Sequence, residues 1–344
     1  MDIYSVLCSL CNEKGISGNE SDIAKFSENI LKSYCEKTET DMFNNVYGFI
    51  PSENENAKTL MIEAHCDRIG LMVKNIDENG FIEFSAVGGV DKRILPSAEV
   101  VILGKKEVAG VIGAKPPHLR NDEDKGFPDI CDMLIDVGMT KSEVQSLISV
   151  GDFVLLDSKP VKLLNNRASG AAFDNRCGMT AVLDFLEKYK TSEKKLFDVW
   201  VVFTSGEETG LCGAYSAANK IRPDYCITVD VTFGKTLDLN DVCGVFELGC
   251  GAVVLRGGDV CYESTIALIN CAKKNKIPFE IEVQGESSGT NASAFLNKSG
   301  GCKNMIISIP LKYMHQTVET VCIDDIKAVS DLIFEASKGG FLCD

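Results

Sequence analysis

The stretch TLMIEAHCD, residues 59–67, is a short apolar run that stops on a histidine and an aspartate. A run of this length, bounded by polar sequence, reads as a strand buried on both faces. Four later runs repeat the type: VWVVFT at 199–204, YCITV at 225–229, VVL at 253–255 and MIISI at 305–309. Helical patterns lie between them at about 175–190, 210–220, 262–275 and 324–337, and an amphipathic helix precedes them at 20–36, with Ile23, Phe26, Ile30 and Leu31 at helical spacing. Strands alternating with helices predict an α/β fold, a mixed, largely parallel sheet sandwiched by helices.

The stretch 71–159 breaks this rhythm. Its closely spaced β runs (LMVKNI, FIEFSAV, EVVILG, EVAGVIG, DFVLLD) are separated by NG, GG, PP and GD turn signals. They predict a small β-rich domain inserted into the α/β chain, which would divide it into 1–70, 71–159 and 160–344.

With 344 residues, 45% of them hydrophobic, the chain can bury a sizeable core. Its formal net charge of −15 works against nucleic-acid phosphate and anionic lipid, so neither partner is expected. Met1 to Leu10 carries no basic leader, and no apolar run approaches the roughly 20 residues of a membrane span. A cytoplasmic protein is expected. The 15 cysteines are odd in number and scattered, which predicts reduced core residues rather than a disulfide framework. Cys8 and Cys11 have CxxC spacing, but no second pair with ligand spacing accompanies them, so they are read as one face of the first helix.

Chemistry is expected where strands end. In open α/β sheets ligands bind beyond the carboxyl ends of the strands. His65 and His315, two of only three histidines, stand at or just after such ends. Asp174 before a helix, Glu207 and Glu208 in FTSGEETG, and Asp230 ending YCITVD share that position. Singly, such a histidine is structural and such an aspartate is a helix cap. Together, several carboxylates at one locus repel one another unless cations neutralise them. Imidazole with carboxylate suits zinc, cobalt or manganese. Asp67, two residues after His65, is placed to accept the N–H of a ligating imidazole. Adjacent Glu207 and Glu208 project in different directions, so one can ligate metal while the other serves as a base.

These motifs, in this order and spacing, carry a resemblance. AHCDRIGLMV, DNR followed by Gly178, GEETGLCGA, the strand end ITVDVT, LGCGAVV, the element GTNA at 289–292 and YMHQTVE together resemble the glutamyl and tetrahedral aminopeptidases, a family of dinuclear metallopeptidases. The resemblance implies a zinc-peptidase-like catalytic domain and two divalent ions, zinc or cobalt. It implies His65 and Asp230 on one ion, Glu208 and His315 on the other, Asp174 bridging, and Glu207 as general base. The activity implied is removal of the first residue from peptides with a free N-terminus, by water activated between the metals. The β-rich insert is expected to be PDZ-like and to serve homo-oligomers from dimer to dodecamer. Two departures, Arg68 where the family usually has Glu and Asn291 where it usually has Asp, are expected near the substrate. His118, in KPPHLR, matches a family element with no ligand role and is read as structural.

Rival readings are a metal-dependent carboxypeptidase or N-deacylase with the same ligands, an endoglucanase, or a binding protein with a structural metal. A glycosidase needs two carboxyl groups flanking a sugar bond, whereas Glu207 and Glu208 are neighbours and the histidines would be idle. A carboxylate-rich set with a spare Glu favours catalysis over a closed structural site. In ELGCGAVVLRGG, Val254 stands where a dinucleotide loop requires its third glycine, so that reading is excluded.

Overall fold

A computed structural model describes residues 1–114, 116, 118, 126–156, 158–237, 244–297 and 300–341. Helices α1 (Ile3–Cys11) and α2 (Ser21–Leu31) lead into strands β1 (Lys37–Thr40), β2 (Val46–Ile50) and β3 (Thr59–His65). Next come β4 (Gly70–Ile76), β5 (Ile82–Val87), β6 (Glu99–Leu103), β7 (Glu107–Ile112), β8 (Ile135–Asp136), α3 (Lys141–Leu147) and β9 (Phe153–Leu156). The chain continues through β10 (Val161–Leu163), β11 (Arg167–Gly170), α4 (Phe173–Lys190), β12 (Asp198–Thr204), α5 (Cys212–Ile221) and β13 (Tyr225–Phe233). It ends with β14 (Ala252–Gly257), α6 (Tyr262–Asn275), β15 (Phe279–Gln284), α7 (Ala292–Asn297), β16 (Lys303–Lys312), β17 (Glu319–Cys322) and α8 (Ile323–Glu335).

The fold is mixed α/β. Its 11-stranded sheet runs β1-β2-β12-β3-β13-β16-β17-β11-β10, with β14 and β15 branching from β16. The central strands β12, β3, β13 and β16 are parallel, and the flanks are antiparallel except that β15 pairs parallel with β14. Strand alternation divides the core. Leu60, Ile62 and Ala64 of β3 pack with Leu7 and Leu10 of α1, Phe185 of α4 and Val329 of α8. On the other face Met61, Val202 and Cys226 pack against Ala214 and Ala217 of α5 and Phe295 of α7. Both faces are thereby covered by helices, which explains why the central strands read as continuous apolar runs.

Strands β4, β5, β8, β7, β6 and β9 close a barrel with its own apolar interior, including Leu71, Val73, Phe84, Ile102 and Val154. Strands β1, β2, β8, β10, β11, β15 and β17 are absent from the sequence reading: β1, β10 and β15 carry polar or exposed residues, and β2, β8, β11 and β17 are no longer than five residues. Helix α2 stops at Leu31, short of the expected 36. Cys8 and Cys11 both lie on α1, and Cys11 faces the core. The cysteines among the described residues are free. His118 is exposed, and residues 115, 117, 119 and 120 of the same element lie outside the described residues. No described helix is long and apolar enough to cross a membrane.

One close approach fixes the loop after β12. Gly213, at the start of α5, donates its N–H to the Ser205 carbonyl oxygen (3.1 Å). A Cβ there would lie 2.2 Å from that oxygen and 2.4 Å from Asn45 Oδ1. Gly213→Ala should therefore lower stability by about 1–3 kcal/mol, the usual cost of overpacking a rigid contact. Urea unfolding measures this, and an unchanged midpoint would contradict the packing described.

Candidate metal centre

Register brings the first two groups together. β3 and β13 are parallel with Glu63 opposite Thr228, so two residues further on His65 and Asp230 share a face and a level. His65 Nε2 lies 3.7 Å from Asp230 Oδ1 and 3.1 Å from Asp174 Oδ1. Asp174 arrives from the start of α4, where its backbone is not helical and its peptide bond to Asn175 is cis. The Asn175 side chain fixes this entry by donating to the Val229 carbonyl (2.8 Å) and accepting from the Gly178 N–H (3.1 Å).

The second half of the site forms on the other oxygen of Asp174. His315 Nε2 lies 3.5 Å from Asp174 Oδ2 and 3.4 Å from Glu208 Oε2. Potential ligand atoms of His65, Asp174 and Asp230 lie within 4.8 Å of one another, as do those of Asp174, Glu208 and His315. The two triads share Asp174. Glu207 belongs to neither, yet lines the same cleft of about 420 Å³.

Two buried carboxylates hold the loops in place. Asp67 accepts the N–H groups of both Glu207 and Glu208 (3.1 Å each). His65 Nδ1 lies 3.2 Å from the Asp67 carbonyl oxygen and 3.5 Å from its carboxylate, so the backbone rather than the expected side chain is the nearer acceptor. Glu319 accepts the N–H of Asp174 (3.2 Å) and of His315 (2.9 Å). It thus braces both triads, although in the sequence it is only the last letter of YMHQTVE. His315 itself has φ 61°, a left-handed conformation that costs free energy in a non-glycine residue and persists only where neighbours enforce it.

Neither departure from the family pattern lines the main cleft. Arg68 is 4% exposed, donates to the Leu156 carbonyl oxygen (2.6 Å) and lines, with Asp174, Glu208 and Glu319, a small pocket distinct from the main cleft. Asn291 is 1% exposed and faces the sheet, donating to Glu63 Oε1 (2.8 Å) and Thr204 Oγ1 (2.9 Å). Its position at the foot of α7 turns the amide towards β3 and β12 and away from the cleft.

Electrostatics tests whether cations fit. Burial, then the neighbouring Asp230, Asp174 and Glu208, push the Glu207 carboxyl up to about 9 against the pull of His65. Burial and Asp174 push Glu208 up to about 8. Burial opposes a charged His315, but its bond to Asp174 and the charge of Glu208 prevail and carry it up to about 10. The cluster on its own can therefore avoid mutual repulsion only by taking up protons. Divalent ions in the two triads would relieve the same repulsion, and imidazole with carboxylate is a fitting donor set.

The chain is similar to known proteins over most of its length. The M42 glutamyl aminopeptidase family matches residues 44–332. A putative aminopeptidase of Acetivibrio thermocellus is 31% identical over 342 residues, 97% of this chain and 98% of that protein. The structure of an aminopeptidase from the archaeon Desulfurococcus kamchatkensis superposes with a TM-score of 0.91 at 30% identity, covering 98% of this chain and 94% of the other. The TET1 peptidase of Pyrococcus horikoshii, described as able to assemble into a tetrahedron or a large octahedral shell, gives 0.85 at 30% identity over 98% and 99%.

Removing the brace should be visible without any metal. Glu319→Ala would leave two buried N–H groups unpaired, each costing about 1–3 kcal/mol. The chelator-treated variant should then unfold at a lower urea concentration than chelator-treated wild type. Equal midpoints would show that Glu319 does not hold the two loops.

Proposed function

Because the chain belongs to the M42 glutamyl aminopeptidase family and is an aminopeptidase, a peptide hydrolase, we propose that it works as a dinuclear metalloenzyme through the two triads that share Asp174. His65 and Asp230 would hold one ion and Glu208 and His315 the other, with Asp174 between them. Zinc or cobalt suits these donors. Bound there, such ions supply Lewis acidity to the scissile carbonyl and to an attacking water.

The protein's own groups do the rest. Glu207 lines the cleft without joining either triad, so its carboxylate is free to take the proton of the attacking water. As water oxygen bonds to the carbonyl carbon and the C–N bond breaks, Glu207 passes that proton to the leaving amine. Asp67 holds the loop that carries Glu207 and Glu208, and so keeps base and ligand side by side. The substrate is a peptide with a free N-terminus. A carboxypeptidase or N-deacylase using the same ligands would instead accept peptides blocked at that end.

The barrel of β4 to β9 is read as an inserted domain, about 71–159, between catalytic segments 1–70 and 160–344. It is read as PDZ-like and as the element that builds a homo-oligomer between dimer and dodecamer. The assembly described for the Pyrococcus horikoshii relative supports this. The net charge of −15 argues against nucleic acid and anionic membrane as partners and fits a cytoplasmic enzyme.

The observation that carries the proposal is the division of labour between neighbours, Glu208 in a triad and Glu207 outside both. Glu207→Gln should lose nearly all kcat while keeping both metals by mass spectrometry, and Glu208→Gln should lose metal as well. Equal metal loss in the two variants would overturn the assignment. Replacing residues 71–159 by a short linker should shrink the particle in light scattering, and an unchanged number of subunits would refute an assembly role.

A further inference from the structure

The cleft extends past the triads along β13, β14, β15 and β16, and its far wall is chemically specific. Met314 and the almost fully buried Leu255 and Ile306 supply its apolar part. Beyond them stands a carboxylate that the proposed reaction does not use, Glu282. It lies opposite Leu255 in the parallel pairing of β14 and β15, so both side chains fall on the cleft side of the sheet. Thr232 Oγ1 donates to Glu282 Oε2 (3.0 Å). Thr232 is two residues beyond Asp230 on the same face, which sets Glu282 roughly 6–7 Å of strand plus one hydrogen bond away from the candidate metal ligands.

The charge balance gives this carboxylate a role. Among the described residues, Asp174, Glu207, Glu208, Asp230 and Glu282 line the cleft, and no lysine or arginine does. Two divalent ions would carry four positive charges, matching the four carboxylates at and beside the triads and leaving that of Glu282 uncompensated. Among the described residues, no lysine or arginine forms a salt bridge with Glu282. Asn291 does not line this wall, and Arg68 lines a separate small pocket, shared with Asp174 and Glu208, that does not include Glu282.

We propose that Glu282 reads the side chain of the substrate's first residue and selects a cationic one, lysine above all. An apolar wall ending in a half-buried carboxylate complements an aliphatic stem ending in an ammonium group. Thr232 acts as a positioning residue that holds one Glu282 oxygen and leaves the other for the substrate. This rests on the aminopeptidase reading of the same cleft, with the α-amine and scissile bond at the triads and the first side chain pointing to β15.

The test compares Lys-, Leu- and Glu-aminoacyl chromogenic substrates on the metal-loaded wild type and on Glu282→Gln. The wild type should show the highest kcat/KM for Lys. The variant should lose at least tenfold on Lys while changing less than threefold on Leu, which also shows that it is folded and metallated. Calorimetric binding of L-lysine against L-norleucine, the same stem without the terminal charge, gives a readout without turnover. Lysine should bind at least tenfold tighter to wild type, with the ratio collapsing in Glu282→Gln. A Lys-to-Leu ratio unmoved by the substitution, or an equal loss on all three substrates, would overturn the assignment while leaving the aminopeptidase reading intact. Absence of turnover on every substrate by the wild type would overturn that reading and this one with it.

Discussion

Acidic groups crowded at one buried locus set the terms for the rest of the molecule. Asp174 and Asp230 are almost entirely removed from water, and Glu207 and Glu208 are largely so. Each raises the cost of ionising the others. Two further buried acids, Asp67 and Glu319, accept backbone N–H groups of the loops that carry the site, although burial and the Asp174 charge still push the Glu319 carboxyl up to about 8. The arrangement thus separates carboxylates that shape the backbone from carboxylates that face the cleft. The candidate metal ligands come from the second kind, and each triad includes one imidazole.

The two structural parts meet at this locus. The parallel centre of the sheet fixes His65 and Asp230 through strand register, while α4 and the turn after β12 deliver Asp174 and the two glutamates. The barrel reaches the site through Gly89, in the connection between β5 and β6, whose carbonyl oxygen lies 3.0 Å from His315 Nδ1. A Cβ at Gly89 would come within 2.7 Å of that nitrogen, so the approach requires glycine. The barrel therefore orients a candidate ligand from a distance without providing one itself.

Much of this was legible in the sequence because the governing signals are local. An apolar run ending in His65 or Asp230 fixes both the strand and the position of the group at its end. The flanking strands were not legible, since Lys37–Thr40 and Phe279–Gln284 carry polar and exposed residues that lack a buried run. Glu319 went unassigned for a different reason. Its role is to receive backbone N–H groups 4 and 145 residues away, which no spacing rule reveals. Arg68 and Asn291 were expected beside the substrate from their neighbours in sequence. Their side-chain directions depend on tertiary partners, Leu156 for one and Glu63 with Thr204 for the other. Glu282 escaped notice because it sits on one of those polar flanking strands.

The central claim is that two divalent ions occupy the triads that share Asp174. Anomalous diffraction from crystals of the metal-loaded protein, recorded on both sides of the zinc or cobalt absorption edge, tests it directly. Two peaks per chain are expected, one beside His65 and Asp230 and one beside Glu208 and His315, with Asp174 reaching both. A single peak, or metal bound anywhere other than around Asp174, would contradict it.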